Sequence, residues 1–526
     1  MDSGGPNRGG VERGALTVCA GRFVATWLCV VAVLLAAPAR GDVLIYSLPL
    51  DLLSGGGGGG GAGAMTSGGQ PGGGGGRTLR IMLTGKTTVN PGRTVTYVHP
   101  TIKDPLYFPL ELVEIKKVAT PQQDYGKRLS KAGKDADEIL KAGVFALKRG
   151  LLREFHGAVK KALENNPDHA EAKRIVELKS QIDKPLPESP DEEKEIRRYV
   201  KRSSMRIARS NHFILLHDTP EKAEKGRKNR AKARLDLLEQ VYESFLLLFH
   251  AQDVEIDIPK ERMRVVLFNE EKDFKEFATN LSPSLSKAAG FWEPDRNVSV
   301  FYDHATTAEY RTLDQIEKLL KQKADEAKRN RTGNTRDLVQ FTNTLALLID
   351  VSRENADIEV VSHEATHQMA GNTGLFPRHV MVPSWAHEGL ATYFEAPGDA
   401  TWAGIGAVNK ERLDWYRALE KDREHSNIDF IVGDQIFDYA RSHSGLLHGY
   451  GQAWALTHFL METHLKEFVA YYRQLGEMPP DTHLTPEILT ELFDKAFGKD
   501  RRALDEEWRS YMNGLKTDLE RLEEDE

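Results

Sequence analysis

Cysteine is nearly absent. The 526-residue chain holds two, Cys19 and Cys29, both beside its one long apolar run. Downstream of that run, disulfide staples, thiolate-ligated zinc and a thiol nucleophile are therefore excluded. A surplus of positive charge is missing too: 71 Lys and Arg stand against 78 Asp and Glu, a net charge of −7. That balance excludes the broad basic face with which a protein neutralises nucleic-acid phosphates. A series of long apolar runs is also lacking, which excludes a polytopic membrane protein. What is present is ordinary for folded chains: hydrophobic residues at 40% and charged residues at 28%. The length calls for two or three folded domains rather than one.

Arg8, Arg13 and Arg22 precede the apolar stretch Phe23 to Ala37, which runs into Pro38-Ala39. A positive n-region, a short h-region and a small-residue exit predict a signal peptide over residues 1–40, and hence an exported protein, whether periplasmic, cell-surface or secreted. A retained anchor is the alternative, although ~15 residues is short for a spanning helix. After cleavage no membrane association is expected. Residues 55–76 hold 15 of the 45 glycines, so 41–76 reads as a flexible tether. Residues 77–122 alternate β-branched and polar positions between prolines, as in Thr94–Val98, and read as a short β-rich segment.

From 123 to 183 the period turns helical. Ala142, Phe145 and Ala146, then Phe155, Ala158, Val159, Ala162 and Leu163, recur at three and four, and Asn166-Pro167 is a stop. Ala158 to Ala172 resembles the second helix of a tetratricopeptide repeat. A single discernible repeat is too few for a free-standing array, so a helical hairpin docked on the next domain is expected. Residues 184–204, opening Lys184-Pro-Leu-Pro, read as a charged linker. Beyond it, Phe213–His217, Arg264–Phe268 and Asn297–Tyr302 read as strands among helices. The fold class expected is α+β: a small mixed sheet packed with a mainly helical domain over 205–515, ahead of an acidic tail over 516–526. The charge-rich stretch from Lys318 to Arg331 reads as a solvated helix face.

His363-Glu364-Ala365-Thr366-His367 carries the chemistry. On a helix, the i, i+4 spacing sets both imidazoles on one face, one turn apart, the bite two nitrogens need on a single zinc ion. Glu364 lies beside His363, placed to work on a water without ligating the metal. A catalytic zinc needs a third protein ligand. The extended motif that would supply a third His is broken by Ala370 and Thr373, which leaves His379, His387 and Glu388 as candidates. Twenty-one positions separate His367 from Glu388, enough to turn a loop and enter a second helix, Trp385-Ala-His-Glu-Gly-Leu-Ala-Thr-Tyr-Phe-Glu395.

The string His-Glu-x-x-His followed by Trp-x-x-Glu-Gly-x-Ala-x-Tyr resembles the gluzincin metallopeptidases. Residues 205–515 are similar to the peptidase-MA-like domain of uncharacterised secreted bacterial proteins. The resemblance implies a Zn²⁺ cofactor with His363, His367 and Glu388 as ligands and His387 as the rival to Glu388. It also implies that Glu395 supports a ligand, that Glu364 is the general base, and that Tyr450 stabilises the oxyanion with His448 as a lesser alternative. The expected activity is hydrolysis of a peptide or protein substrate, with no nucleic-acid partner. The aminopeptidase string Gly-x-Met-Glu-Asn is missing. Gly290-Phe-Trp-Glu-Pro294 is only a superficial echo, so exopeptidase specificity is unsupported. By analogy with the family, Asn297–Tyr302 is a candidate edge strand for an extended substrate, and an ordinary strand of the sheet is the equal alternative. Two other readings stay open: a degenerate peptidase fold that serves as a binding module, and a zinc hydrolase of a non-peptide amide or ester.

Overall fold

A computed structural model describes residues 41–49, 78–101, 104–221, 229–330, 335–378, 380–480, 482–518 and 520–521. The expected signal peptide and the glycine run lie outside the described residues. The fold is α+β, with helices dominating and two five-stranded sheets. Among the described residues no helix is long and apolar enough to cross a membrane. The chain divides into two units, one of residues up to Val118 with Arg311–Ser352 and one of Ala119–Tyr310 with Arg353–Glu526.

The first unit carries an antiparallel sheet of β1 (Asp42–Pro49), β2 (Thr78–Asn90), β3 (Thr94–Val98), β4 (Leu106–Pro109) and β5 (Val113–Lys116), in the order β4-β3-β2-β1-β5. The expected tether over 41–76 is therefore corrected at its start. Asp42–Pro49 pairs with β2 along its whole length, from Asp42↔Gly85 to Pro49↔Thr78. Val43, Leu44, Ile45 and Tyr46 are all buried, so the strand contributes to the core. Tyr46 packs on Phe108 at 5.0 Å, and the Tyr97 hydroxyl donates to the Thr84 carbonyl at 2.7 Å.

The second unit opens with four helices where a hairpin was expected: α1 (Pro121–Ala132), α2 (Ala136–Lys148), α3 (Leu152–Asn165) and α4 (Ala170–Ile182). Thr120 and Gln123 form a reciprocal capping box that starts α1, with Pro121 in its first turn. The Asp135 side chain caps α2. The buried stripe of Phe155, Ala158, Val159 and Ala162 on α3 joins the same apolar core as Val361, Ala365 and Leu390 of the helices that carry His363, His367 and Glu388. Polar ties reinforce that docking, among them Lys148 Nζ to Glu462 Oε2 at 2.7 Å and Arg174 Nη1 to Asp253 Oδ1 at 2.9 Å.

The linker expected over 184–204 contains α5 (Glu192–Val200), with Ile196, Tyr199 and Val200 buried. Its acidic start is held by Arg262, whose Nη1 reaches Glu188 at 2.9 Å and Glu192 at 3.3 Å. The second sheet follows, with β6 (Arg206–Arg209) and β7 (Phe213–His217), α6 (Arg230–His250), β8 (Met263–Phe268), α7 (Glu271–Leu281), β9 (Gly290–Glu293) and β10 (Val298–Tyr302). It is mixed, in the order β6-β7-β8-β10-β9, parallel across β7-β8-β10 and antiparallel at both rims.

Helices α8 (Ala308–Asn330) and α9 (Thr335–Asn372) come next. The rest is helical: α10 (Ser384–Phe394), α11 (Lys410–Leu419), α12 (Ile428–Val432), α13 (Ile436–Tyr439), α14 (Leu446–Thr463), α15 (Leu465–Gly476), α16 (Pro486–Phe497) and α17 (Arg501–Gly514). The acidic tail is tied down at its start: Arg417 donates to Glu520 Oε1 at 2.5 Å and to the Leu515 carbonyl at 3.1 Å.

Candidate metal centre

Ile358, Val361, Ala365 and Met369 form the buried stripe of α9, a spacing of three and four that turns this face to the core. His363 and His367 lie one turn apart beside that stripe, their rings edge to face at 4.8 Å. Helix α10 brings the third side chain. Its first turn is capped by Asp434, whose carboxylate accepts from the Ser384 and Trp385 backbone N–H groups at 2.9 and 3.0 Å, a favourable place for negative charge. Trp385 is fully buried against Phe468 and Tyr471. Gly389 lets α14 come close, since a Cβ there would meet Thr457 Oγ1 at 2.1 Å and the Ala453 carbonyl oxygen at 2.8 Å. That approach explains the glycine following Glu388.

His363 Nε2 lies 3.2 Å from His367 Nε2 and 3.2 Å from Glu388 Oε2, and His367 Nε2 lies 3.9 Å from the same oxygen. Ligand bonds of ~2.0–2.1 Å in tetrahedral arrangement put neighbouring donor atoms ~3.3 Å apart. Two imidazole nitrogens and a carboxylate oxygen converging on that spacing fit a zinc ion; they are a metal-capable set among the described residues. His379 lies outside the described residues. His387 stands beside the triangle, with its ring stacked on His367 at 3.7 Å and its Nδ1 3.4 Å from Glu388 Oε1.

Behind His363 stands a chain of charged groups. Its Nδ1 is 2.7 Å from Glu395 Oε2, so the carboxylate takes that N–H and turns Nε2 toward Glu388. Glu395 is almost wholly buried. Arg412 Nε holds its other oxygen at 2.7 Å, and Arg412 Nη2 bridges on to Glu359 at 3.1 Å. Burial opposes a charge on His363, yet Glu388 and Glu395 together hold its pKa well above the usual imidazole range. Burial and the neighbouring His387 hold His367 well below that range. Burial opposes ionisation of Glu388, but its bonds to His363 and His387 keep it well below the usual carboxylate value. The pocket is rich in carboxylates and favours a bound positive charge.

Glu364 is buried beside this triangle, and burial pushes its pKa up to about 7. It faces β9. This strand was undervalued in the sequence. Gly290-Phe-Trp-Glu is the rim strand of the second sheet, and β10 lies between β9 and β8. Of the two readings of Asn297–Tyr302 the ordinary sheet strand holds and the edge strand is corrected: β10 is paired on both sides, and Asn297 precedes it in a left-handed conformation with φ of 53°. Gly290 lets β9 lie directly on the motif helix, since a Cβ would come 2.7 Å from Val360 Cγ1 and 3.1 Å from Glu364 Cγ. Arg412 and Asp434 were also missed, and no local pattern marked either.

Tyr450 lies in the first turns of α14. Its ring meets Phe437 edge-on at 5.2 Å, and the Arg412 guanidinium sits 5.4 Å from its centroid. Burial, followed by the charge of Glu388, pushes its pKa well above the usual phenol value. Glu364 and Glu395 act on it in the same sense, so Tyr450 belongs to the same electrostatic neighbourhood. His448 packs edge-on against Trp415 at 4.7 Å.

A family model described as a protein of unknown function (DUF1570) matches residues 357–481. The matched stretch contains the His363–His367 motif, Glu388, Glu395, Arg412 and Tyr450. No curated protein and no solved structure matches the chain.

Proposed function

We propose that this chain is an exported zinc-dependent metallopeptidase of gluzincin type. The observation that carries the reading is the convergence of His363 Nε2, His367 Nε2 and Glu388 Oε2 at 3.2 to 3.9 Å, with the carboxylate of Glu364 beside them. His363, His367 and Glu388 would hold the ion. Zinc bound by such a set acts as a Lewis acid and lowers the pKa of a coordinated water toward ~7.

The chain's own residues do the rest. Glu395 fixes the ring of His363 through Nδ1, and Arg412 fixes Glu395. Glu364, buried against β9, takes a proton from the attacking water and returns it to the leaving amine. Tyr450, kept protonated by burial and the surrounding carboxylates, donates its O–H to the oxyanion that develops on the carbonyl. Strand β9 offers an outer edge along which an extended peptide adds as a further strand, which favours a peptide over another amide. Export rests on the basic, apolar and small-residue sequence of the first 40 positions.

The test is turnover of a mixed-sequence peptide library by zinc-loaded protein. Cleavage by the wild type is expected, with a loss of ~100- to 10,000-fold in Glu364→Gln and of ~100- to 1,000-fold in kcat for Tyr450→Phe with KM little changed. A wild type that binds zinc and cleaves no peptide would reject the peptidase reading.

A further inference from the structure

The two imidazoles of the metal triangle are braced differently. Behind His363, Glu395 Oε2 stands 2.7 Å from Nδ1. His367 is 4% exposed, and its Nδ1 is buried without a hydrogen-bond partner among the described residues. A ligating imidazole ordinarily has its second nitrogen held by a carboxylate, a carbonyl or water, which fixes the aim of the first. In place of that hold, His367 has a contact on its ring face. His387 lies against it with centroids 3.7 Å apart and planes 9° from parallel.

A face contact constrains the angle that aims the ligand. The lone pair of Nε2 lies in the plane of the ring, and the torsion that turns this plane is a soft one. A flat ring packed on the face limits that turn and keeps the lone pair directed where His363 Nε2 and Glu388 Oε2 converge. The brace is itself backed. Phe376 meets the His387 ring at 5.4 Å, and Tyr472 of α15 meets Phe376 at 4.8 Å. Both backing rings are buried. The Tyr472 hydroxyl donates to the carbonyl of Ala386 at 2.9 Å, and the His387 backbone N–H donates to the Pro383 carbonyl at 3.0 Å. A column of rings thus runs from α15 through the loop after α9 to the motif helix. His387 Nδ1 also lies 3.4 Å from Glu388 Oε1, so this side chain touches two members of the triangle.

On the reading of His363, His367 and Glu388 as the ligands, we infer that His387 is a positioning residue of the metal seat. It holds the plane of the His367 ring by stacking and does not itself ligate the ion.

The experiment is a zinc competition titration on the full chain, with the visible absorption of cobalt-loaded protein and urea unfolding of the metal-free protein measured alongside. The His387 side chain is 28% exposed, so its variants should unfold close to the wild type when metal-free. His387→Ala should weaken zinc binding about tenfold, the low end for a group that orients a ligand. His387→Phe keeps a flat ring and removes both nitrogens, and should bind within about threefold of the wild type because the stack survives. His387→Asn keeps a polar group without the ring and should resemble His387→Ala. At saturating cobalt, His387→Phe and the wild type should share one spectrum, since their ligands are the same. A wild type that binds zinc beside a His387→Ala variant that binds it equally well would overturn this assignment alone. So would a His387→Phe variant as weak as His387→Ala or with an altered cobalt spectrum, either of which would show that the His387 nitrogens act. A wild type that takes up no zinc would reject the seat itself and this assignment with it.

Discussion

Two clusters of buried charge share α9, and they are built to opposite ends. The first centres on Asp357, whose carboxylate receives Arg230 at 2.8 Å, Arg234, and both the backbone N–H and Nδ1 of His304 at 3.0 and 3.1 Å. Asp303 completes it with a two-pronged grip on Arg230 at 2.9 and 2.7 Å. The cluster is closed: donors and acceptors answer one another, and it ties α6 and the end of β10 to α9. The second, six positions on, gathers Glu359, Glu364, Glu388 and Glu395 around a single arginine, Arg412, and aims two imidazole nitrogens and an oxygen at one point. It is open, with acceptors in excess. A closed network locks a helix in place, whereas an open one on the same helix has the donor set a cation would need.

Breaking the closed cluster should give the largest effect. Asp357→Asn leaves two buried guanidinium groups short of a counter-charge, and a loss of ~3–5 kcal/mol is expected in urea unfolding. The loss should be the same with and without a chelator. Disturbing the open cluster should cost metal affinity first. Glu395→Gln should weaken zinc binding by ~10- to 100-fold in a competition titration with a chromophoric chelator, and the metal-free protein should lose less stability than Asp357→Asn does, because Glu359 still faces Arg412. The smallest effect is in acid. Burial alone would raise the pKa of Asp357, but Arg234 and Arg230 hold it below its usual 3.8. A carboxylate depressed in the folded state adds stability above its unfolded pKa, and that stability is lost as pH falls through the folded value. Chelated wild type should therefore lose stability with falling pH below about 4, and Asp357→Asn should show a shallower acid slope in denaturant titrations across that range.

The open cluster was partly legible in the sequence because its candidate ligands obey helical spacing: His363 and His367 at i, i+4, and Glu388 within an uninterrupted helical run. Its supports were not legible. Arg412 reaches Glu395 across 17 positions of loop and helix, and Asp434 reaches back 50 to cap α10; neither distance leaves a periodic trace. The edge strand was misplaced for a related reason. Strand order depends on which run pairs outside another, and Gly290–Glu293, four residues closed by Pro294, is too short to show the alternation that marks Val298–Tyr302 as a strand. The α+β class followed from the mix of periods. Helix α5 was hidden by its charge, since Asp191-Glu-Glu-Lys-Glu masks the stripe of Ile196, Tyr199 and Val200. Strand β1 was hidden by its neighbours, an apolar run on one side and a glycine run on the other.

The most direct test of the open cluster as a metal seat is zinc stoichiometry by mass spectrometry, on protein starting near Gly41. Glu388→Ala and Glu364→Gln are measured alongside. One zinc per chain is expected in the wild type, retained in Glu364→Gln and lost in Glu388→Ala. A wild type that takes up no zinc after reconstitution, or a Glu388→Ala variant that keeps it fully, would contradict the account.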